Sequence, residues 1–370
     1  MHRGRVRMLL RMLMVLLGVT PGIGGAGIPV LVVCNEREEA SVELARHYAK
    51  LRQVPEEQVL KLNCPLTEAV GREEFERMVR QPVAAWLKAR GWLAQKTPLV
   101  LVTMRGVPLR VEGTLGNFGQ RTREQHREND AASVDSELAC LMLPQPPETK
   151  GSVPNPAFGH DASPLRIMVG RLDGPNLATA KRLVDDAIAV EKREIPTGRA
   201  LIDHAQMASH GKEYERGDTW LNTLETRFSM AGFDLKVDRG PGLMGGAPAD
   251  GEKVFFYAGW YAPHVGGLVR QEAFRFQPGA VACHIHSLSA QTVRATTQRW
   301  TGALLARGAA VALGNVDEPF LSYSTHLDVF FDLLLQGHTA GEAMWKGTPR
   351  LSWMNVMIGD PLYRPFGKRN

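Results

Sequence analysis

The chain has 370 residues, of which 44% are hydrophobic and 22% charged, which is the composition of a globular protein with a large core. Its formal net charge is +5, but the first 26 residues carry four arginines and no acidic residue, and without them the net charge is +1. A nearly neutral chain gives no electrostatic basis for nucleic acid binding, so nucleic acid is not expected as a partner.

The first 26 residues have the pattern of a signal peptide. Basic residues up to Arg11 precede the apolar run Met12 to Val19, and the small residues Gly24 and Ala26 suit a signal peptidase site. The run is much shorter than the ~20 apolar residues of a spanning helix. We therefore expect residues 1–26 to be removed, the protein to be periplasmic or extracellular, and the mature chain to have no transmembrane span. A disordered N-terminus is the alternative.

Short apolar runs alternate with amphipathic stretches in the first half of the chain, which is typical of parallel βαβ units. Residues 112–164 are polar and rich in Pro and Gly, and they predict a long surface excursion of the kind that is often functional. The predicted elements are strands at 30–33, 59–62, 99–104 and 166–169, a helix that buries Val42, Ala45, Tyr48 and Ala49, a helical region over 72–90 interrupted at Pro82, and a helix that buries Ala180, Leu183, Val184, Ala187 and Ile188.

Two of the four cysteines follow predicted strands. Cys34 ends the strand at 30–33, and Cys64 follows the strand at 59–62. If these strands are parallel neighbours, the two sulfurs lie at one edge and an oxidising compartment would allow a disulfide. Two buried, unpaired side chains are an equal alternative.

The second half of the chain begins at a break, Ile195 to Gly198. We expect an N-terminal α/β subdomain over residues 27–195 and a C-terminal α/β subdomain with the candidate site over residues 196–370. Asp218 predicts the N-cap of a helix. The other predicted elements are strands at 254–257, 280–283 and 309–313 and a helix over 292–307 that ends at Gly308.

Polar loops follow three of these strands, after Tyr257, Cys283 and Leu313. Ligands of parallel sheets meet the carboxyl ends of the strands. We therefore expect the three loops to lie side by side and to share a pocket.

Several short motifs resemble, in the same order, those of gingipain-type cysteine peptidases. They are the strand and loop Leu99 to Pro108, Asp135 followed by Val169 to Leu172, the strand end Tyr257 to Gly259, the strand and loop 280–287, and Ile358 to Pro361. Three phrases more closely resemble a family of exported bacterial proteins of unknown function. These phrases are His284 to Ser287, Gly314 to Val316 and Ser352 to Val356.

The resemblance implies an α/β, caspase-like (gingipain-like) fold of mostly parallel sheets flanked by helices. It implies a catalytic histidine at the position of Trp260, which Tyr261 follows where the family has glycine, and a nucleophilic cysteine between Cys283 and Ser287. An indole cannot act as a general base, so the peptidase dyad is not carried over intact.

Two constellations of residues would support catalysis. Cys283 with His264 would form a thiol nucleophile and its base, unless Cys283 is a buried side chain of the strand. His284 and His286 are two residues apart, so both would point to one side of an extended segment and could bind a divalent metal. His286 is a catalytic candidate in a metal-dependent hydrolase of this kind. The alternative, with no cofactor, is that one histidine is buried and hydrogen-bonded and the other lines a polar cleft without metal.

The remaining candidates are binding residues. Trp260 and Tyr261 offer rigid aromatic area for a peptide, protein or glycan ligand, beside His284 and Ser287. Two carboxylates and an amide follow the strand at 309–313 and would set the electrostatics of the cleft. Alternatively, they belong to a charged loop that caps the helix predicted to begin near Ser324. These residues are Asn315, Asp317 and Glu318.

Arg105 and Arg171 each lie at the end of a buried strand, next to a glycine. An ion pair with Asp135 or Asp173 is favoured over recognition of an anionic ligand.

The sequence leaves two classes of function open. One is a degenerate peptidase relative that acts in binding or scaffolding, which the loss of the histidine favours, and the other is a hydrolase with altered machinery.

Overall fold

The computed structural model describes residues 28–115, 121–143, 151–193, 195–246 and 251–367, and the predicted signal peptide lies outside these ranges. Within them the chain forms fifteen strands: β1 (Val30–Asn35), β2 (Val59–Leu62), β3 (Ala69–Val70), β4 (Leu99–Met104), β5 (Arg110–Val111), β6 (Ala132–Ser133), β7 (Val153–Pro154), β8 (Ile167–Leu172), β9 (Arg199–Asp203), β10 (Asp234–Asp238), β11 (Val254–Trp260), β12 (Phe276–Ile285), β13 (Val311–Asn315), β14 (Arg350–Leu351) and β15 (Asn355–Ile358).

Ten of these strands form one continuous sheet in the order β10-β9-β11-β12-β13-β15-β8-β4-β1-β2. The first five are parallel to one another, as are the last four. Between the two groups lies β15, which runs antiparallel to β13 and bridges to β8 at Ile358 and Arg171. Two small sheets, β7 with β14 and β3-β5-β6, lie apart from it.

Helices flank the sheet. A π-helical turn at Glu76–Arg80 joins the helix Arg72–Phe75 to the helix Gln81–Ala89, whose first turn contains Pro82. None of the described helices has the length and apolar character that crossing a bilayer requires. They are α1 (Glu39–Arg52), α2 (Arg72–Phe75), α3 (Gln81–Ala89), α4 (Arg123–Arg127), α5 (Val134–Ala139), α6 (Leu177–Glu191), α7 (Lys212–Met230), α8 (Gly267–Arg270), α9 (Trp300–Ala306), α10 (Leu327–Leu335) and α11 (Ala340–Gly347).

The central strands are buried along their whole length, as their sequences predict. All residues of β1, β4 and β8 are buried, and β4 is the predicted apolar run Leu99–Met104. Strands covered by helices on both faces have no solvent side and therefore carry continuous apolar runs. The predicted helix at 42–49 is α1, and the helix over 177–191 buries its predicted face, with Ile188 half-buried.

Two predicted helix starts are wrong. Residues 292–299 are not helical, and α9 begins only at Trp300, because Thr292 and Val293 hydrogen-bond to the Glu68 carboxylate instead. Asp218 is not an N-cap, because α7 begins at Lys212. Its carboxylate is used in a tertiary contact that the sequence does not show.

The two predicted subdomains contribute to the same sheet. Residues before 195 supply β1, β2, β4 and β8, and residues after it supply the other six strands. The structure therefore joins both halves through hydrogen-bonded strands, and the boundary at 195 stays a prediction.

Cys34 and Cys64 lie near the ends of neighbouring parallel strands, as predicted. Strand β1 pairs with β2 from Val32 to Asn35. Both cysteines are free and fully buried, and burial raises the pKa of Cys34 to about 11 and that of Cys64 to about 12. The structure thus shows the unpaired alternative.

Candidate functional site

The three predicted loops leave one edge of the sheet side by side. Strands β11, β12 and β13 are parallel neighbours, with Gly259 paired to His284 and Cys283 paired to Leu313. Their carboxyl ends therefore meet, as expected for a ligand site of a parallel sheet.

A cavity of about 730 Å³ opens at this edge. Its lining comes from the loops after the three strands, from the start of α7 and from α4. This volume lies within the range of small-molecule and peptide sites, roughly 300–1,000 Å³. Five of the predicted site residues line it: Trp260, Tyr261, His286, Ser287 and Glu318.

Trp260 occupies the position at which the resemblance places a catalytic histidine. Its side chain is buried, and the indole N–H donates to Asp218 Oδ1 at 2.8 Å. The other carboxylate oxygen of Asp218 accepts the backbone N–H of Met207 at 2.8 Å. The ring lies so close to Gly217 that a Cβ there would be 2.6 Å from it. Trp260 is therefore held in place and offers no proton acceptor.

Tyr261 is the exposed aromatic residue of the cavity, with 37% of its surface accessible. Its ring lies 5.8 Å from that of Tyr214 and 5.1 Å from the imidazole of His286. Partial burial, with Tyr214 and Glu318 nearby, raises the pKa of the Tyr261 phenol to about 12. The phenol is therefore neutral at physiological pH.

His284 is a buried structural residue and does not reach the cavity. Its ring stacks on Trp300 at 3.6 Å, and its Nε2 accepts the backbone N–H of Ala262 at 3.1 Å. The proton of the neutral ring is then on Nδ1, which donates to the Tyr257 hydroxyl at 2.8 Å. Burial lowers the pKa of His284 well below its ordinary value. Both nitrogens are engaged, so neither has a lone pair for a metal ion.

His286 does line the cavity. Its Nδ1 hydrogen-bonds to the carbonyl oxygen of Ser287, and Nε2 has no hydrogen bond to another described residue. Burial lowers the pKa of His286 below its ordinary value, although the Ser287 carbonyl acts in the opposite direction. His286 is therefore a neutral imidazole with a free basic nitrogen. In the part of the chain that the structure describes, no three His, Cys, Asp or Glu side chains are grouped to hold a metal.

Ser287 and Glu318 form a hydrogen-bonded pair across the cavity wall. The Ser287 hydroxyl donates to Glu318 Oε2, and the backbone N–H of Phe320 donates to the other oxygen at 3.0 Å. Asp317 supports this loop through an ion pair with Arg121 at 2.9 Å. The Glu318 carboxylate thus has a fixed position and two donors.

Asn315 lies beneath the cavity and supports its wall. It is buried, its backbone N–H donates to Ser289 Oγ at 3.0 Å, and its amide donates to Ser324 Oγ at 3.4 Å. It does not line the cavity.

Cys283 and His264 are not brought together. Cys283 is buried within β12, and burial raises the pKa of its thiol to about 12. His264 is exposed, it does not line the cavity, and no hydrogen bond joins it to Cys283 in the described residues. A thiol without a basic or positive neighbour stays protonated and is a poor nucleophile.

The structure adds residues that the sequence did not single out. Tyr214 comes from the first turn of α7, Phe320 and Tyr323 follow β13, and His126 comes from the long excursion at 112–164. Only the excursion carried a sequence signal, since its length predicted a functional loop.

Arg171 forms the buried ion pair that the sequence favoured. Its guanidinium donates to both oxygens of Asp135, at 3.0 and 2.8 Å, and to the carbonyl oxygens of Val107 and Pro108, each at 2.9 Å. Neither charged side chain is exposed. This pair joins β8 to α5 and to the loop after β4, so it is structural.

The fold matches that of two solved structures. One is titled "Crystal structure of the Arg specific cysteine proteinase gingipain R", with a TM-score of 0.54 and 11% identity over 91% of this chain and 78% of that chain. The fold is gingipain-like. The other, titled "Structure of Protease", gives the same values, and at this identity the likeness shows the caspase-like fold alone. No family model and no curated protein matches the chain.

Proposed function

We propose that this gingipain-like protein is an exported, degenerate relative of the peptidases that binds a peptide or protein segment in the cavity at β11–β13. One observation carries the proposal: the two catalytic positions are both unsuited to thiol chemistry. Trp260 is tied to Asp218 where a base is expected, and the Cys283 thiol is buried with a pKa of about 12.

The cavity supports retention of binding. It has kept a ligand-sized volume of about 730 Å³, aromatic walls and a neutral imidazole. A peptide is favoured over a glycan because both matched structures are named as a proteinase or a protease, whose substrates are peptides.

Selection from a random peptide library tests the binding proposal. Immobilised mature protein is expected to enrich peptides that a Tyr261→Ala variant does not retain, because Tyr261 is the exposed ring of the cavity. Mass spectrometry after prolonged incubation is expected to show the enriched peptides intact. A library that yields no Tyr261-dependent peptide would overturn the proposal.

Alkylation with iodoacetamide tests the state of Cys283. A thiol with a pKa of about 12 is almost wholly protonated at pH 8, and here it is also inaccessible. We expect Cys283 to react at least ~100-fold more slowly in the native protein than in urea. The other three cysteines, also buried, serve as internal controls in the same peptide map. Native labelling of Cys283 faster than the denatured thiol would restore the cysteine peptidase hypothesis.

A second candidate function is hydrolysis at Ser287. The observation that favours it is the hydrogen bond from the Ser287 hydroxyl to the Glu318 carboxylate in a cavity that also holds His286. A carboxylate can accept the proton of an attacking hydroxyl. A fluorophosphonate probe, with Ser287→Ala as the control, decides between the two. Labelling that Ser287→Ala abolishes would replace the binding function with a hydrolase.

Metal content and export are tested on the purified protein. We propose that the protein needs no divalent metal, because both His284 nitrogens are hydrogen-bonded. Elemental analysis that found one equivalent of metal, lost in His286→Ala, would contradict this.

Export predicts a periplasmic or secreted protein whose N-terminus by mass spectrometry is Gly27.

A further inference from the structure

We propose that the cavity takes an uncharged aromatic side chain of the peptide, held between two aromatic walls. This inference rests on the proposed peptide-binding function and names the residue type that anchors the ligand.

The first wall consists of Tyr214, Trp260 and Tyr261. The Tyr214 ring lies 6.1 Å from Trp260 and is nearly perpendicular to Tyr261, and the Trp260 and Tyr261 rings are 5.7 Å apart. These centroid distances fall within the range of favourable aromatic pairs, roughly 4.5–7 Å. Within this wall, Trp260 is fixed by Asp218.

The second wall consists of Phe320 and Tyr323, which follow β13 and line the same cavity. Their rings are 5.9 Å apart at 80°. Tyr323 in turn packs at 6.1 Å against the buried Trp353, and His126 lies edge-on to Phe320 at 6.2 Å. Trp353 therefore supports this wall from behind, and His126 extends it along the cavity.

The lining of the cavity contains more aromatic than charged side chains, which favours an aromatic anchor over a charged one. Inside, Glu318 already receives the Ser287 hydroxyl and the Phe320 N–H, and His286 is neutral because its pKa is lowered. Arg127, Lys212 and Glu213 are exposed at the opening. A charged side chain would lose its hydration to reach Glu318 as the one charged partner among the less exposed lining residues, whereas an aromatic ring buries apolar surface against both walls.

The size of the cavity agrees with an anchor and its neighbours. At about 730 Å³ it is larger than one aromatic side chain, so residues beside the anchor fill the rest. The exposed charges at the opening then contact the flanking residues of the peptide and contribute little to its affinity, as is usual for surface ion pairs.

Substitution within the most enriched peptide tests the inference. Fluorescein-labelled octapeptides with Trp, Phe, Leu, Gln, Arg or Glu at each position are titrated, and anisotropy gives Kd. We expect one position at which Trp or Phe binds at least tenfold more tightly than Gln, Arg or Glu. If Arg, Glu or Leu is the tightest residue at the critical position, the inference fails while peptide binding stands. If no peptide was enriched at all, the proposed function itself fails.

Variants of the two walls locate the anchor. Tyr261→Ala and Phe320→Ala are each expected to raise the Kd of the peptide with the aromatic anchor at least tenfold. The Kd of a control peptide with Ala at the anchor position should change less than threefold. Tyr261→Phe should retain binding, and Phe158→Ala, which removes an equally exposed ring that does not line the cavity, is the matched control with less than a threefold effect. Circular dichroism of each variant separates loss of the wall from loss of the fold. A well-folded Tyr261→Ala that binds both peptides like the wild type would overturn the assignment.

Discussion

Individual residues, rather than the fold, decide the chemistry of this site. The sheet brings three loops together at one edge, and the position at which the sequence resemblance predicts a general base holds Trp260. Its indole N–H is bonded to Asp218, and its ring covers Gly217, which has no side chain. The neighbourhood is thus built for tryptophan, and a change at Trp260 would affect its neighbours as well.

The fit between Gly217 and Trp260 can be measured by Gly217→Ala. Alanine in a helix is ordinarily more favourable than glycine by roughly 0.5–1 kcal/mol. Here its Cβ would lie 2.6 Å from the indole ring, and overpacking of this kind costs about 1–3 kcal/mol. We therefore expect a net loss of about 1–2 kcal/mol in the free energy of unfolding by urea. Gly242→Ala, where nothing lies within 4 Å, is the control and should have little effect.

Asp203 makes stability depend on pH. Burial raises its pKa to about 7, while its carboxylate accepts the Met244 N–H and the Tyr257 hydroxyl. Between pH ~4 and 7 the folded state holds a proton that the unfolded state releases, so the stability due to Asp203 is greatest at low pH and is lost as pH rises towards 7.

Asp203→Asn removes this dependence, because an amide does not ionise. The free energy of unfolding of the variant, relative to that of the wild type, should therefore rise by about 3 kcal/mol between pH 4.5 and pH 8. Asp234→Asn, at a carboxylate whose side chain is 64% exposed, is the control. A constant difference between Asp203→Asn and wild type over this pH range would refute the shift.

At the level of single residues, the sequence indicated the right loops but not the role of each side chain. The spacing of His284 and His286 predicted that both face one side, but β12 ends at Ile285. Beyond the strand end the alternation of side chains no longer applies, so His284 points into the core and His286 into the cavity.

At the scale of elements, apolar runs predicted the strands well and helix starts poorly. Buried parallel strands must be apolar throughout, so β1 and β4 could be recognised from composition alone. Helix starts depend on partners elsewhere in the chain. Glu68 binds residues 292 and 293 and keeps them out of α9, and no local pattern reveals that contact.

The buried pair Arg171–Asp135 ties three elements together, and breaking it should be costly. Arg171→Met would leave the Asp135 carboxylate buried without its partner, for which we expect a loss of about 3–5 kcal/mol. The double variant Arg171→Met/Asp135→Leu removes both charges and should recover much of that loss. Urea unfolding of the three proteins measures both terms. Equal destabilisation in the single and double variants would mean that the cost comes from lost packing.

At the scale of the whole molecule, β15 determines how the halves are joined, and the sequence did not show it. Four residues, Asn355–Ile358, lie between β13 of one half and β8 of the other. The turn that follows adds a buried contact, since Asp360 accepts from Arg52 at 2.6 Å and from the Tyr48 hydroxyl at 3.1 Å. Pairings this distant in sequence cannot be predicted from local patterns.

The joined sheet predicts that the two halves fold together. Residues 27–195 expressed alone would leave the β8 edge without β15 and Arg52 without Asp360. We expect this fragment to lack a cooperative urea transition, and the full chain to unfold in one transition at which far-UV circular dichroism and tryptophan fluorescence coincide. In the fragment, the tryptophan fluorescence comes from Trp86 and Trp92 alone, whose rings are 5.2 Å apart. A fragment with its own cooperative transition would instead establish residues 27–195 as an independent domain.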